Sequence, residues 1–185
     1  ADPNTPADIE LNEDNFPNRT FREYISENCD KNNDGKLTYF ELEKLSFINF
    51  DEEKYHNIDD LTGIGYLSNL KYLNICGNSA LKTIDVSNCS KLECLYAGNC
   101  INLANAVLPD GIKEISIFNT SIKEISTEKF KDLEKLTVSN SKIKGLDLSK
   151  NTKLKELDIS NNKFESGIDI SNCRDLVEFS ATSCG

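Results

Sequence analysis

The feature that most restricts how this chain can fold is a period. Beginning at Leu70, the pattern L-x-x-L-x-I recurs with first positions at Leu70, Leu92, Ile112, Leu133, Leu154 and Leu176, spaced by 22, 20, 21, 21 and 22 residues. Self-similarity at such a period means a stacked array of small units, none of which can bury its apolar face alone. The fourth position reads Leu73, Leu95, Ile115, Leu136, Leu157, Phe179, and the sixth Ile75, Ala97, Ile117, Val138, Ile159, Ala181. Both columns are apolar throughout. Alternation over such a short run predicts one strand per repeat with one buried face, and hence a parallel stack.

The ninth position holds Asn78, Cys100, Thr120, Ser141, Asn162 and Cys184, all small and able to hydrogen-bond. Side chains of this kind, stacked at the strand spacing, can pair the backbone groups of the turn that would otherwise be buried unpaired. Cys100 and Cys184 are therefore read as ladder residues without a redox role. A second apolar stretch follows in each repeat, for example Leu81, Ile84 and Val86, or Ile143, Leu146 and Leu148. Repeats this short leave no room for a full helix there, so extended or 3₁₀ segments are expected on the convex side.

The run LDLSKNTKLKELDISNN, Leu146 to Asn162, closely resembles the short leucine-rich repeats of secreted and surface proteins of bacteria, including the internalin-like group. IDDLTGIGYLSN, Ile58 to Asn69, resembles the convex half of an internalin-type repeat. AVLPDG and ISTEKFKD replace the usual D-x-S turn in the second and third repeats, which leaves the local curvature there open. The resemblance implies an α/β fold, a leucine-rich-repeat solenoid forming a curved right-handed superhelix with a parallel sheet on its concave face.

A solenoid needs its first coil covered. Residues 1–15 read as a flexible lead-in, 16–57 as a helical cap and 58–185 as repeats. Phe21, Tyr24, Ile25 and Asn28 follow helical spacing, and Phe40, Leu42, Leu45 and Ile48 fit a second helix. Between them DKNNDGKLTYFE fills every position of an EF-hand calcium loop: Asp30, Asn32, Asp34, Gly35 for the sharp turn, the Lys36 carbonyl, Thr38 and Glu41. Calcium takes several hard oxygens, which this alternation aims at one centre. One Ca2+ per chain is expected, against the alternative of an acidic loop that keeps the shape without the ion. The wider pattern FxxYIxxxxDxNxDGxLxxxE resembles that found before the repeats of related bacterial chains. A single loop in a chain with no Met suggests a fixed cap and not a sensor that opens a Met-rich groove.

Residues 1–60 hold 16 acidic and 6 basic side chains, whereas the remainder holds 15 of each. The pI near 4.7 and the lack of a basic cluster argue against nucleic acid. No apolar run is long enough to span a membrane, and the absence of Met reads as a processed or truncated product. His56, in DEEKYHNIDD, reads as a solvated linker residue. No phosphate loop, nucleophile motif or metal-type Cys/His cluster is present, so an enzyme is not expected. The expectation is a monomeric, secreted or cell-surface bacterial protein-binding module that uses its concave face, with a host cell-surface receptor among the candidate partners. Tyr72, Asn74, Tyr96, Glu114 and Phe118 form the candidate contact patch, the three rings running diagonally across neighbouring strands. The other reading is a structural spacer or stalk whose outward positions carry only scattered polar residues; a carbohydrate-binding role ranks third.

Overall fold

The computed structural model describes residues 7–184, so the first six residues of the expected lead-in lie outside the described residues. Residues 7–15 are held against the cap: β1 (Ile9–Glu10) pairs antiparallel with β2 (Lys36–Leu37) on the other side of helix α1 (Arg19–Asn28). The flexible reading of this stretch gives way because the Leu11 amide also donates to the Gly35 carbonyl, at 2.9 Å, and Phe16 is fully buried. Helix α1 starts where Asn18 accepts a hydrogen bond from the Phe21 amide, 2.8 Å, satisfying one of the free N–H groups of the first turn. Its buried stripe is Phe21, Tyr24 and Ile25.

Helix α2 (Tyr39–Lys44) is shorter than the spacing suggests, and Leu45 already has an extended backbone at φ −80°, ψ 99°. Beyond it, Phe47–Asn49 forms strand β3 and pairs parallel with β4 (Tyr72–Asn74). Ile48, read as helical, is therefore a strand residue. Leu45, Ile48 and Phe50 occupy the first, fourth and sixth columns of an additional repeat, and all three are buried. Edge-to-face contacts of Tyr24 with Phe50 and Tyr55, at 4.7 and 5.0 Å, bind helix α1 to this first coil.

On the convex side β5 (Thr83–Asp85) pairs parallel with β7 (Asn105–Val107), and Ile64–Tyr66 forms a 3₁₀ turn. The concave sheet continues through β6 (Cys94–Tyr96), β8 (Glu114–Ser116), β9 (Lys135–Thr137), β10 (Glu156–Asp158) and β11 (Glu178–Ser180). Its order is β3-β4-β6-β8-β9-β10-β11, parallel throughout. One continuous core of the fourth and sixth columns runs beneath it from Ile48 and Phe50 to Leu157 and Ile159, whereas on β11 Phe179 is 50% exposed. The two divergent repeats keep the convex column filled: Leu108, Thr127 and Phe130 are buried there.

The ladder reads as expected. Asn162 donates to the Val138 and Ile159 carbonyls at 2.8 and 2.9 Å and accepts from the Ile143 amide at 3.2 Å, joining successive coils. Cys100 and Cys184 each direct the thiol at a carbonyl of the preceding coil, Ile75 and Ile159, both at 3.2 Å. A second, convex ladder residue escaped the sequence reading: Asn151, fully buried, donates to the Thr127 and Phe130 carbonyls at 3.0 and 2.8 Å.

A further column immediately precedes the ladder. Gly77, Asn99, Asn119, Asn140, Asn161 and Ser183 all have positive φ, from 51° to 82°. Three residues past the end of each of these strands the chain turns into the left-handed region, which Gly and Asn reach at least cost. His56 is half-buried and lies against this turn, so close that a Cβ on Gly77 would sit 2.9 Å from its ring. It is a packing residue, not a solvated one.

Opposite charges alternate along the flank of the sheet. Glu93 meets Lys113 at 3.2 Å and Glu134 meets Lys155 at 2.6 Å, while in the next row Lys135 lies between Glu114 and Glu156, at 3.8 and 2.7 Å.

Candidate functional site

Three rings form a continuous row on the concave face. Phe47 stacks on Tyr72 with centroids 4.6 Å apart and planes 14° from parallel, and Tyr72 leans on Tyr96 at 5.3 Å and 35°. Strand pairing dictates this: Phe47 and Tyr72 are direct register partners, and Tyr96 is opposite Asn74, one strand over and two residues along. Beyond Tyr96 stands Glu114, opposite Cys94 on β8. Burial first, and then the hydrogen bond and charge of Glu114, push the Tyr96 hydroxyl above its ordinary pKa.

The sequence-predicted patch is thus assembled in part. Tyr72, Asn74, Tyr96 and Glu114 share the face, with the Asn74 side chain accepting from the Cys76 amide at 3.0 Å. Phe118 does not extend the row of rings. Its ring occupies the space a side chain at position 98 would fill, which is open because that residue is Gly98. Phe47, invisible to the sequence reading because its segment looked helical, takes the third place in the row.

Further along the sheet the outward residues are polar and mutually bonded. The Asp158 carboxylate is opposed by partial burial but held below its ordinary pKa by bonds from Ser160, Ser139 and Ser180, and the Ser160 and Ser180 hydroxyls are 2.8 Å apart. Such a surface has its hydrogen-bonding capacity largely satisfied within the chain.

The loop between α1 and α2 carries the predicted cation ligands. Asp30 is 4% exposed, and its two oxygens accept from the Asp34 and Gly35 amides at 3.2 and 2.9 Å. Asn32 donates to Asp34 at 2.9 Å, and Asp34 accepts from the Lys36 amide at 3.0 Å. Gly35, at φ 79°, makes the sharp turn. Glu41 accepts from the Lys31 amide at 2.7 Å and from the Thr38 amide and hydroxyl at 2.9 and 2.7 Å. Burial opposes the Glu41 charge, yet these hydrogen bonds outweigh it and hold the carboxyl below its ordinary pKa. With Glu41 engaged in this way, no three Asp, Glu, His or Cys side chains among the described residues converge at metal-ligand distance. The donor set nevertheless suits calcium, since every side-chain ligand is a hard oxygen and the Lys36 ammonium is drawn aside to Glu10, 3.0 Å away.

All seven cysteines carry free thiols. Burial pushes Cys29 and Cys100 up to about 12 and Cys89 to about 11, so these groups stay protonated near neutral pH and are poor nucleophiles. No helix among the described residues is long and apolar enough to cross a membrane.

Comparison with known proteins agrees with this geometry. The solved structure of an internalin, InlF, from Listeria monocytogenes is 25% identical, with a TM-score of 0.56, over 95% of this chain and 58% of that one. The functional domain of InlJ from the same organism, described as including a cysteine ladder, is 18% identical with a TM-score of 0.53, over 95% of this chain and 52% of that one. The chain thus spans a little over half the length of these structures. No curated protein matches the sequence. A leucine-rich-repeat model matches residues 153–176, and the model of the leucine-rich-repeat domain of the endo-β-N-acetylglucosaminidase EndoS matches residues 16–162. The ladder, the parallel concave sheet and this match over most of the sequence place the chain in the family of the EndoS leucine-rich-repeat domain.

Proposed function

We propose that this chain is a secreted or cell-surface bacterial protein-binding module, without catalytic activity, that holds its partner on the N-terminal half of the concave sheet. The observation that carries the reading is the contiguous row Phe47–Tyr72–Tyr96, set against the internally bonded polar surface of the later strands. A spacer has no need of a concentrated aromatic patch, whereas binding surfaces are enriched in such anchors. A host cell-surface protein is the first class of partner to test. The EndoS family name is that of a glycan-cleaving enzyme, and a repeat domain in such a protein suits a presenting role better than a reacting one.

The test is a screen of the purified chain against panels of host ectodomains and bacterial surface proteins. With a partner in hand, Tyr96→Ala should weaken binding at least about tenfold, ~1.4 kcal/mol, with a nearly unchanged melting temperature. Unchanged affinity for Tyr72→Ala and Tyr96→Ala would move the site off the concave face, and a chain that captures nothing in either panel would favour the spacer.

The same reading assigns one Ca2+ to the cap, held by Asp30, Asn32, Asp34, the Lys36 carbonyl, Thr38 and Glu41. Bound there, the ion supplies charge neutralisation among these carboxylates and so fixes α1 against α2. Calcium at about a hundred times its dissociation constant should stabilise the fold by about 2.7 kcal/mol through mass action. Thermal melts with calcium and with chelator check this; wild type and Asp30→Ala with Glu41→Gln responding alike would remove the assignment.

A further inference from the structure

We propose that the cap end of the aromatic row opens into an anchor pocket for one large apolar side chain of a protein segment that carries a carboxylate beside it. This rests on the protein-binding reading above and adds the chemistry of what is bound.

A cavity of about 290 Å³ lies where the end of α1, helix α2 and the start of β3 meet, with Cys29, Phe40, Leu45 and Phe47 as its apolar lining. Its size is at the lower limit of ligand pockets, room for a single side chain and not for a cofactor. The row of rings explains why the free aromatic surface is here. Stacked rings use one another's faces, so Tyr72 has Phe47 on one side and Tyr96 on the other. Tyr96 ends at Glu114. Phe47 has one face on Tyr72 and the other toward the pocket, and it is 57% exposed; Phe40, on the opposite wall, is 68% exposed. Two large rings left this open beside a cavity are an unusual apolar surface in a segment otherwise rich in carboxylates.

Charge selects the partner. Lys31 and Lys44 line the cavity and are exposed, and neither has a carboxylate within ion-pair distance among the described residues. Glu41, the acidic residue of the lining, stays ionised and accepts from the Lys31 backbone amide and from the Thr38 amide and hydroxyl, so two ammonium groups against one carboxylate leave the lining net positive. The pocket therefore presents two unpaired ammonium groups beside an apolar lining, within a region of strongly negative net charge. An apolar residue flanked by Asp or Glu fits both parts, and one flanked by Lys or Arg meets like charge.

The experiment is an amide NMR titration of the whole chain with acetyl-Glu-Phe-Glu-amide and, separately, acetyl-Lys-Phe-Lys-amide. The acidic peptide should give saturable shifts at Phe40, Leu45 and Phe47 and bind about fivefold more tightly than the basic one, as expected for exposed ion pairs. The preference should shrink with added salt. Lys31→Ala with Lys44→Ala should abolish the preference while leaving the spectrum of the repeats unchanged, and Phe40→Ser should remove binding of both peptides. Equal affinity for the two peptides, shifts confined to other residues, full binding by Phe40→Ser, or peptide-free shifts that grow with protein concentration, marking a second copy as occupant, would each overturn the proposal. Because the concave reading is tested by Tyr96→Ala against a captured partner, loss of the pocket leaves that result standing, and loss of the concave site leaves the peptide titration standing.

Discussion

Replacing Leu136 by Ala should lower the unfolding free energy by about 2 to 5 kcal/mol, whereas Thr137→Ala beside it should cost under about 0.5 kcal/mol. Leu136 has no exposed surface and is paired in register with Ile115 on one side and Leu157 on the other, so truncation opens a void that neither neighbouring coil can fill without breaking its own hydrogen bonds. Thr137 points to the concave face and is half-buried among polar neighbours. In a stacked array the loss at one coil also weakens the interface to the next, so urea melts should show a lower midpoint and, for Leu136→Ala, reduced cooperativity. Similar losses at both positions would mean that the buried and outward columns are interchanged.

Gly63→Ala should be about as damaging, by roughly 2 to 5 kcal/mol, for a different reason. Gly63 has φ +99°, a region that a side chain makes strained, and a Cβ there would sit 2.4 Å from the Asn15 carbonyl oxygen and 2.5 Å from the Phe16 ring. The ring could rotate away, but the carbonyl is backbone and cannot yield without lifting residues 15 and 16 from the first coil. Phe16 is fully buried there against Phe21 and Tyr66, at 5.6 and 5.9 Å. The expected result is a lower melting temperature together with faster amide exchange in α1 than in β8 to β10. Gly145→Ala is the control: no atom lies within 4 Å of its Cβ and its φ is not positive, so it should be neutral or stabilise by up to about 1 kcal/mol. Equal behaviour of the two variants would show that the cap is not seated through this contact.

The repeat was legible because burial on one face imposes a two-residue alternation that survives in every coil, and because the ladder needs small hydrogen-bonding residues at a fixed offset. Strand β3 was not, since Leu45 precedes Leu70 by 25 residues, outside the period, and since Phe40, Leu42, Leu45 and Ile48 mimic a helical face. What ends helix α2 is local backbone geometry at Leu45, and what recruits Phe47–Asn49 is an open edge of β4, a tertiary effect. Missing β3 also hid Phe47 and the pocket behind it. The signal that could have revealed the turn column was present as Gly or Asn one place before five of the six ladder residues, with Ser183 before the last. Phe118 shows the reverse limit: it lies two residues past the end of β8, and the space its ring occupies is set by the bare backbone at Gly98 and not by its own column.

The alternating charges along the sheet flank bear on how such a chain reaches one structure. Consecutive coils are near copies of each other, so a folding intermediate that docks a coil onto its second neighbour would bury almost the same apolar columns as the correct stack. The ionic rows break that degeneracy. Skipping one coil would bring Lys113 against Lys155 and Glu114 against Glu156, where the correct order gives Glu134–Lys155 and Lys135–Glu156. Pairs that are weak as stabilisers thus act as a parity check on assembly, because a stack wrong by one coil turns each attraction into a repulsion at the same time.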